Sequence, residues 1–155
     1  MGCEIERKFL VDLDKWHKPE KGVKIMQGYL IRSEKLSLRL RLADDKAFLT
    51  IKGASNGISR SEFEYEIPAA DLEAMLSEFG SGKYICKVRY HEKVGNHLWE
   101  IDVFEGDNTG LVLAEIELSS SDEEFELPVW VTKEVSTDKR YRNACLVETP
   151  YKLWK

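Results

Sequence analysis

The stretch "EIERKFL", residues 4–10, contains the pattern on which most of the chain is built. Glu4, Glu6 and Lys8 occupy every second position, with Ile5, Arg7 and Phe9 between them. Because alternate side chains of a strand point to opposite faces, these two carboxylates and the ammonium group share one face. The stretch therefore predicts a strand whose charged face must meet either solvent or a charged interior.

Length and composition limit the classes of protein that this chain can represent. At 155 residues we expect one domain, residues 1–155, with a buried core. The net charge of −5 argues against a general nucleic-acid binder but allows a small anionic ligand at a local basic cluster. Three widely spaced cysteines predict reduced thiols in the cytoplasm. The chain has neither a signal-peptide pattern nor a run of 18 apolar residues, so we expect no membrane partner.

Alternating apolar and polar residues predict eight strands, which places the chain in the α+β class. Two segments have helical spacing instead, and the Gly/Ser/Asn-rich segment 53–61 is predicted to be a mobile loop. The predicted strands are 4–11, 24–32, 36–43, 47–53, 62–67, 83–94, 97–106 and 111–120, and the predicted helices are 68–82 and 136–148.

Charged pairs at positions i and i+2 recur in six of the predicted strands. A sheet with one face in water would explain any single pair. However, most pairs carry one sign, whereas an ordinary solvated face mixes signs because like neighbours repel. Three of the basic residues are arginines, whose planar fork fits phosphate or carboxylate. Besides Lys8 in the first strand and Lys52, which stands alone, the later strands carry Arg39 and Arg41, Glu62, Glu64 and Glu66, Lys87 and Arg89, Glu100 and Asp102, and Glu115 and Glu117.

A closed eight-stranded antiparallel β-barrel with the charged face inward would bring these pairs together around one lumen. Charge enclosed in that way is costly unless opposite charges neutralise it. A polyanion on the basic side chains and a divalent cation on the carboxylates would do so, which predicts a metal–polyphosphate site. The apolar faces then point outward, where the two helices, packed on the outside, or a second copy in a homodimer would cover them.

The same residues resemble a known family. "EIERKFL" is similar to the E-x-E-x-K signature of the CYTH domain superfamily, the triphosphate tunnel metalloenzymes. The later "LRLR", "TIKG", "EFEYEI", "KVRY", "EIDVF", "AEIEL" and "TDKRYRN" resemble its remaining motifs in the same order, over nearly the whole chain. The short chain most resembles the compact bacterial members, which act as inorganic triphosphatases. It departs from some branches in having Gly2 and Cys3, and no histidine, before the signature.

The resemblance implies a β tunnel in which a triphosphate is hydrolysed or cyclised with Mg²⁺ or Mn²⁺. It also implies roles for individual residues, with Lys139 reaching the tunnel mouth or Arg140 in its place. We further expect Lys8 to act in catalysis together with a carboxylate that orients the attacking water, either Glu4 or Glu64. The implied metal ligands are Glu4, Glu6, Asp102, Glu115 and Glu117, and the implied phosphate-binding residues are Lys8, Arg39, Arg41, Lys52, Lys87, Arg89 and Lys139.

These expectations lead to one leading function and three alternatives. We expect a hydrolase that removes the terminal phosphate of inorganic triphosphate and acts less well on nucleoside triphosphates. The same tunnel would also suit a class IV adenylate cyclase, which would have to seat a base and a ribose, or a thiamine triphosphatase. The last alternative, a polyphosphate-binding module without turnover, is disfavoured because it would have no need of the acidic set.

Overall fold

The structure, a computed structural model, describes residues 2–154, and strands dominate that part of the chain. The strands are β1 (Glu4–Val11), β2 (Val23–Arg32), β3 (Leu36–Ala43), β4 (Lys46–Gly53), β5 (Ser59–Arg60), β6 (Glu62–Ile67), β7 (Tyr84–Val94), β8 (His97–Phe104), β9 (Val112–Glu117) and β10 (Val131–Glu134). The α-helices are α1 (Ala69–Phe79) and α2 (Asn143–Glu148), and short 3-10 turns cover Gly106–Asn108, Lys139–Tyr141 and Tyr151–Leu153.

All ten strands belong to one antiparallel sheet in the order β10-β1-β9-β8-β7-β2-β3-β4-β6, with β5 paired to β1. The predicted antiparallel α+β fold is thus confirmed, whereas the predicted closed ring of eight strands is not. One edge of β1 is divided between two partners, because Phe9 and Val11 pair with β10 while Glu4 and Ile5 pair with β5. Within residues 2–154, strand β6 at the end of the sheet has no ladder with β1, whose first residues pair with β5 instead.

The eight predicted strands are present with ends shifted by at most a few residues. The two additional strands are short and lack a period-2 pattern that would predict them. Strand β5 lies inside segment 53–61, which was predicted to be a loop, and pairs with β1 over only two residues. Strand β10 has four residues and is held by its pairing with the far end of β1.

Helix α1 lies on the outer face of the sheet, as predicted. Leu72 and Leu76 are buried on its inner side and pack in one cluster with Leu40 of β3. Gly28 of β2 allows this close approach, since a Cβ atom there would lie 3.0 Å from both Leu76 and Tyr84.

The second predicted helix, 136–148, is not continuous. Asp138 caps the 3-10 turn Lys139–Tyr141, accepting a hydrogen bond from the backbone of Arg140. Arg142 then has an extended backbone (φ −72°, ψ 138°), and α2 begins only after it. The break directs the α2 segment inward across one end of the sheet.

Helix α2 contradicts the prediction that both helices pack on the outside. Its buried Leu146 shares a cluster with Ile85, Phe104 and Leu113. In their strands these residues lie on the same face as the charged side chains, two positions before Lys87, after Asp102 and before Glu115. The inner face of the sheet is therefore charged toward one end and apolar toward the other, and α2 covers the apolar end.

The outer face of β1, β9, β8 and β7 is covered by loops of the chain itself. Trp99 is fully buried there beside Phe9, and Trp16 and Trp130 complete the cluster from the segments after β1 and before β10. Elsewhere the outer face stays open, as at Tyr65 of β6, which is 51% exposed. Within residues 2–154, no helix has the length and apolar character needed to cross a membrane.

Candidate functional site

The charged inner face encloses a cavity of about 230 Å³, which we call the main cavity. It brings together side chains from seven strands, almost all of them charged. Its basic lining residues are Arg39, Arg41, Lys52, Lys87 and Arg89, its acidic ones are Glu4, Glu6, Glu62, Glu64, Glu100, Glu115 and Glu117, and Asn143 of α2 completes the wall. Most of the predicted site residues thus surround one space.

A smaller cavity of about 80 Å³, the side cavity, adjoins it and shares Glu6, Arg39, Lys52 and Asn143 with it. The side cavity has a different charge balance, because Glu6 is its one acidic lining residue within residues 2–154. The basic side chains that line it are Lys8, Arg39, Lys52, Arg60 and Arg142. The side cavity is therefore mostly cationic, whereas the main cavity has mixed charges.

Asp102 holds two of the basic side chains in place. It is 1% exposed, lies 2.7 Å from Lys87 Nζ, and accepts two hydrogen bonds from Arg89 at 2.8 and 2.9 Å. Burial alone would raise the pKa of Asp102, but Arg89 and Lys87 outweigh it and hold that pKa well below its usual range. Burial also lowers the pKa of Lys87 to about 8, against the opposing charge of Asp102. Asp102, predicted as a metal ligand, lines neither cavity, and both of its oxygens are engaged by cations.

On the opposite wall Glu64 neutralises two arginines. Its Oε2 atom accepts hydrogen bonds from Arg41 and Thr50, both at 2.9 Å, and lies 3.9 Å from Arg39. Burial, together with the neighbouring Arg39 and Arg89, lowers the pKa of Arg41. The Glu64 carboxylate is thus the anion shared by the two arginines of this wall.

Lys52 of β4 and Lys8 of β1 are also paired with carboxylates. Lys52 lies 3.0 Å from Glu4 and 3.7 Å from Glu62. Lys8 lies 3.6 Å from Glu115 and donates to the backbone oxygen of Tyr141 at 3.3 Å. Although burial alone would raise the pKa of Glu115, Lys8 and Arg89 lower it to about 2.

Glu6 and Glu117 differ from these carboxylates, because neither forms an ion pair with any side chain of residues 2–154. They are directly opposed on β1 and β9. Burial and repulsion from Glu115 and Glu4 raise the pKa of Glu6 to about 8, and burial raises that of Glu117. Carboxylates that are not engaged in ion pairs are hard oxygen donors of the kind that Mg²⁺ and Mn²⁺ accept. The donor set fits a divalent cation, although among the described residues no three His, Cys, Asp or Glu side chains form a ready-made metal cluster.

Lys139 lies away from both cavities. Its side chain is 64% exposed and pairs with Glu34 at 3.4 Å. The alternative, Arg140, pairs with Asp138 at 2.7 Å and stacks on Trp154. Their positions do not support a contact with bound phosphate, because the segment turns inward only at Arg142.

Several lining residues were missed by the sequence reasoning, among them Arg60, Arg142 and Asn143. Arg142 follows the 3-10 turn, and Arg60 lies in the segment predicted to be a loop, so neither belongs to an alternating pattern. Asn143 is the first residue of α2, and its Oδ1 atom accepts a hydrogen bond of 3.2 Å from Lys87 Nζ. The one available signal was the basic run "KRYR", residues 139–142, which gives the right segment but not the residue that turns inward.

Comparison with known proteins agrees with this geometry. A profile of the CYTH domain matches residues 2–145. An inorganic triphosphatase of Acetivibrio thermocellus is 44% identical over 155 residues, covering 100% of this chain and 99% of that protein. An inorganic triphosphatase of Nitrosomonas europaea is 39% identical over 150 residues, covering 92% of this chain and 95% of that one.

Solved structures show the same fold. The crystal structure of an inorganic triphosphatase superposes with a TM-score of 0.65 at 36% identity, covering 92% of this chain and 96% of that one. A conserved hypothetical protein from Pyrococcus furiosus shares the fold at a TM-score of 0.58 and 21% identity, covering 77% of this chain and 80% of that one. The motifs, the charged inner face of the sheet and the match over residues 2–145 lead to one conclusion: the chain belongs to the CYTH domain family.

Proposed function

We propose that this chain is a metal-dependent hydrolase that removes the terminal phosphate of inorganic triphosphate and acts less well on nucleoside triphosphates. The observation that carries the proposal is the main cavity, where five basic side chains face seven carboxylates. Relatives 44% and 39% identical over nearly the whole chain bear the name inorganic triphosphatase.

The size of the main cavity favours a small inorganic anion. At about 230 Å³ it is smaller than the roughly 300–1,000 Å³ typical of pockets for drug-sized ligands. Apart from Asn143, every side chain that lines it is charged, so it offers no apolar surface on which a base could stack. A bare chain of phosphoryl groups suits this space better than a nucleotide or thiamine ester.

The basic side chains would supply most of the catalysis. Phosphoryl transfer depends mainly on positioning and on neutralising charge that spreads over the phosphoryl oxygens. Arg39, Arg41, Lys87 and Arg89 would bind those oxygens, with Lys8 reaching the chain from the side cavity. Glu4 and Glu64 both line the main cavity, and either carboxylate could orient the attacking water.

A divalent cation, Mg²⁺ or Mn²⁺, would be held by Glu6 and Glu117, with Glu4 and Glu115 beside them. When bound, it would act as a Lewis acid on the phosphoryl oxygens. That these two carboxylates form no ion pair within residues 2–154 and are directly opposed supports this assignment.

We also propose that the sheet curves round into a tunnel with the charged face inside. Gly2 and Glu62 exchange backbone hydrogen bonds of 3.1 and 3.3 Å, which extend the β5 pairing toward β6 and draw the two ends of the sheet together. The open apolar surface at Tyr65 is where a second copy would pack in a homodimer.

The test is phosphate release from tripolyphosphate, ATP and thiamine triphosphate, together with cyclic AMP formation, measured with Mg²⁺, with Mn²⁺ and with chelator. We expect phosphate mainly from tripolyphosphate and none with chelator. Arg41→Ala should lose most of this activity, while the matched surface change Arg140→Ala should keep it. Cyclic AMP as the main product from ATP, or thiamine triphosphate as the preferred substrate, would overturn the proposal.

A further inference from the structure

Gln27 of β2 is a buried polar side chain that the proposed chemistry does not use. It is 0% exposed, and neither its Oε1 nor its Nε2 atom has a hydrogen-bond partner among residues 2–154. Buried polar groups without partners are rare in folded proteins, because each one costs free energy relative to water. A fully buried carboxamide of this kind requires an explanation in terms of what it does.

The position of Gln27 gives that explanation. It shares one face of β2 with Ile25 and Tyr29, each two positions away, and Tyr29 lines the side cavity, so Gln27 lies on the inner face. Its direct partner across the strand pair is Arg41 of β3. The Cβ atoms of directly opposed residues on antiparallel strands are about 5 Å apart, within reach of both side chains.

Arg41 has a matching unused donor. Its Nη2 atom donates to Glu64, but its buried Nε has no partner among the described residues. Arg89 across the cavity is different, because its Nε donates to Asp102 at 2.8 Å and its guanidinium plane is fixed from both sides. Arg41 thus lacks the side contact that holds Arg89.

We propose that Gln27 is a positioning residue that fixes Arg41 when polyphosphate is bound. A phosphoryl group that replaces Glu64 on the terminal nitrogens of Arg41 leaves the Nε–H free, and the Gln27 carboxamide oxygen accepts it. The guanidinium plane is then held toward the main cavity. This inference rests on the proposed function, since it names the device that orients one phosphate-binding arginine.

The first test is Gln27→Met, which keeps the length of the side chain and removes both polar atoms. We expect kcat/KM for tripolyphosphate to fall roughly tenfold to a hundredfold, the equivalent of one hydrogen bond to a charged group. The melting temperature of the ligand-free protein should stay the same or rise, because an unpaired buried amide has been removed. Met26→Leu, the neighbouring change on the outer side of β2 against the α1 cluster, is the matched control and should leave kinetics unchanged.

The second test asks whether Gln27 acts through Arg41. Arg41→Lys has no Nε–H in the same place, so Gln27→Met should have little further effect in that background. A double-mutant cycle then gives strong coupling, whereas two independent sites would give additive losses. Additive losses, unchanged kinetics in Gln27→Met, or a lowered melting temperature with unchanged kinetics would each overturn the inference.

A binding measurement separates this inference from the proposed activity. With chelator present, tripolyphosphate should raise the melting temperature of the wild type more than that of Gln27→Met. A wild type that is stabilised in this way but releases no phosphate when Mg²⁺ or Mn²⁺ replaces the chelator would refute the proposed hydrolase and leave the Gln27 comparison valid. Equal shifts for both proteins would refute the role of Gln27 whether or not hydrolysis occurs.

Discussion

Replacing Asp102 with asparagine tests how the interior charges are held. Asp102 is 1% exposed and is the shared partner of Lys87 and Arg89. Asparagine keeps the shape of the side chain but leaves two buried cations without a counter-charge. Removing one partner of a buried ion pair costs about 3–5 kcal/mol, and for a domain of this length that lowers the melting temperature by about 6–20 °C.

The pH dependence of this loss has a definite sign. The pKa of Asp102 is held below its value of about 3.9 in an unfolded chain, so the unfolded state binds more protons between the two values. The stabilisation from Asp102 is therefore complete above about pH 4 and is lost as the pH falls toward the folded pKa. The gap between wild type and Asp102→Asn should be widest near neutral pH and should narrow in acid.

The measurement is thermal unfolding of wild type and Asp102→Asn from neutral to acidic pH, without metal or substrate. The matched control is Asp107→Asn, which breaks a surface pair with Lys152 at 2.9 Å and should cost at most about 1 kcal/mol. A loss for Asp102→Asn no greater than for the control would refute the reasoning. Full stability combined with activity that excess Mg²⁺ restores would instead identify Asp102 as a metal ligand.

Three further predictions concern the cavities, the outer core and the metal. In steady-state assays Arg142→Ala should lower kcat/KM for tripolyphosphate about tenfold or more. Lys139→Ala changes a residue away from both cavities and should keep kcat/KM within about twofold of the wild type. Equal effects of the two changes would contradict the assignment of Arg142 to the site. Trp99→Ala should lower the free energy of unfolding in urea by about 3–5 kcal/mol, and a loss below about 1 kcal/mol would contradict the packing described. Mg²⁺ at a hundred times its dissociation constant should raise the melting temperature by about 5–11 °C in the absence of substrate. The same shift in the double variant Glu6→Gln/Glu117→Gln would contradict the assignment of Glu6 and Glu117 as metal ligands.

The strands could be predicted because the alternation of charge and apolar residues is a local signal. In β3 and β7 the same pairs that fix the strand also fix which face is charged, so Arg39 and Lys87 reach the cavity as predicted. How the two ends of the sheet are arranged could not be predicted in this way, and the predicted closed ring of eight strands is not confirmed. The arrangement depends on how two short partners divide one edge of β1, a long-range choice that strand periodicity does not express.

The positions of several site residues could not be predicted for the same reason: they depend on long-range contacts that a local sequence pattern does not express. Helix α2 was placed on the outside because its sequence shows only that one side is apolar, and Leu146 would satisfy that pattern against either face of the sheet. Whether Lys139 or Arg142 reaches the cavity depends on one extended residue between two short helical turns. Asp102 has the residue type of a metal ligand, but its partners Lys87 and Arg89 come from the neighbouring strand, and only the register of β7 with β8 sets it beside them.

The ion pairs that line the main cavity have a consequence for ligand exchange. Glu64, Glu4 and Glu115 each pair with a basic side chain of the cavities, so under the proposed function they would compete with triphosphate at the high effective concentration of groups on one chain. A highly charged triphosphate accompanied by a divalent ion can outcompete them, since the ion satisfies the carboxylates that are set free. The products, orthophosphate and pyrophosphate, each carry less charge than triphosphate, so we expect the carboxylates to pair with the cations again after each turnover and displace both products.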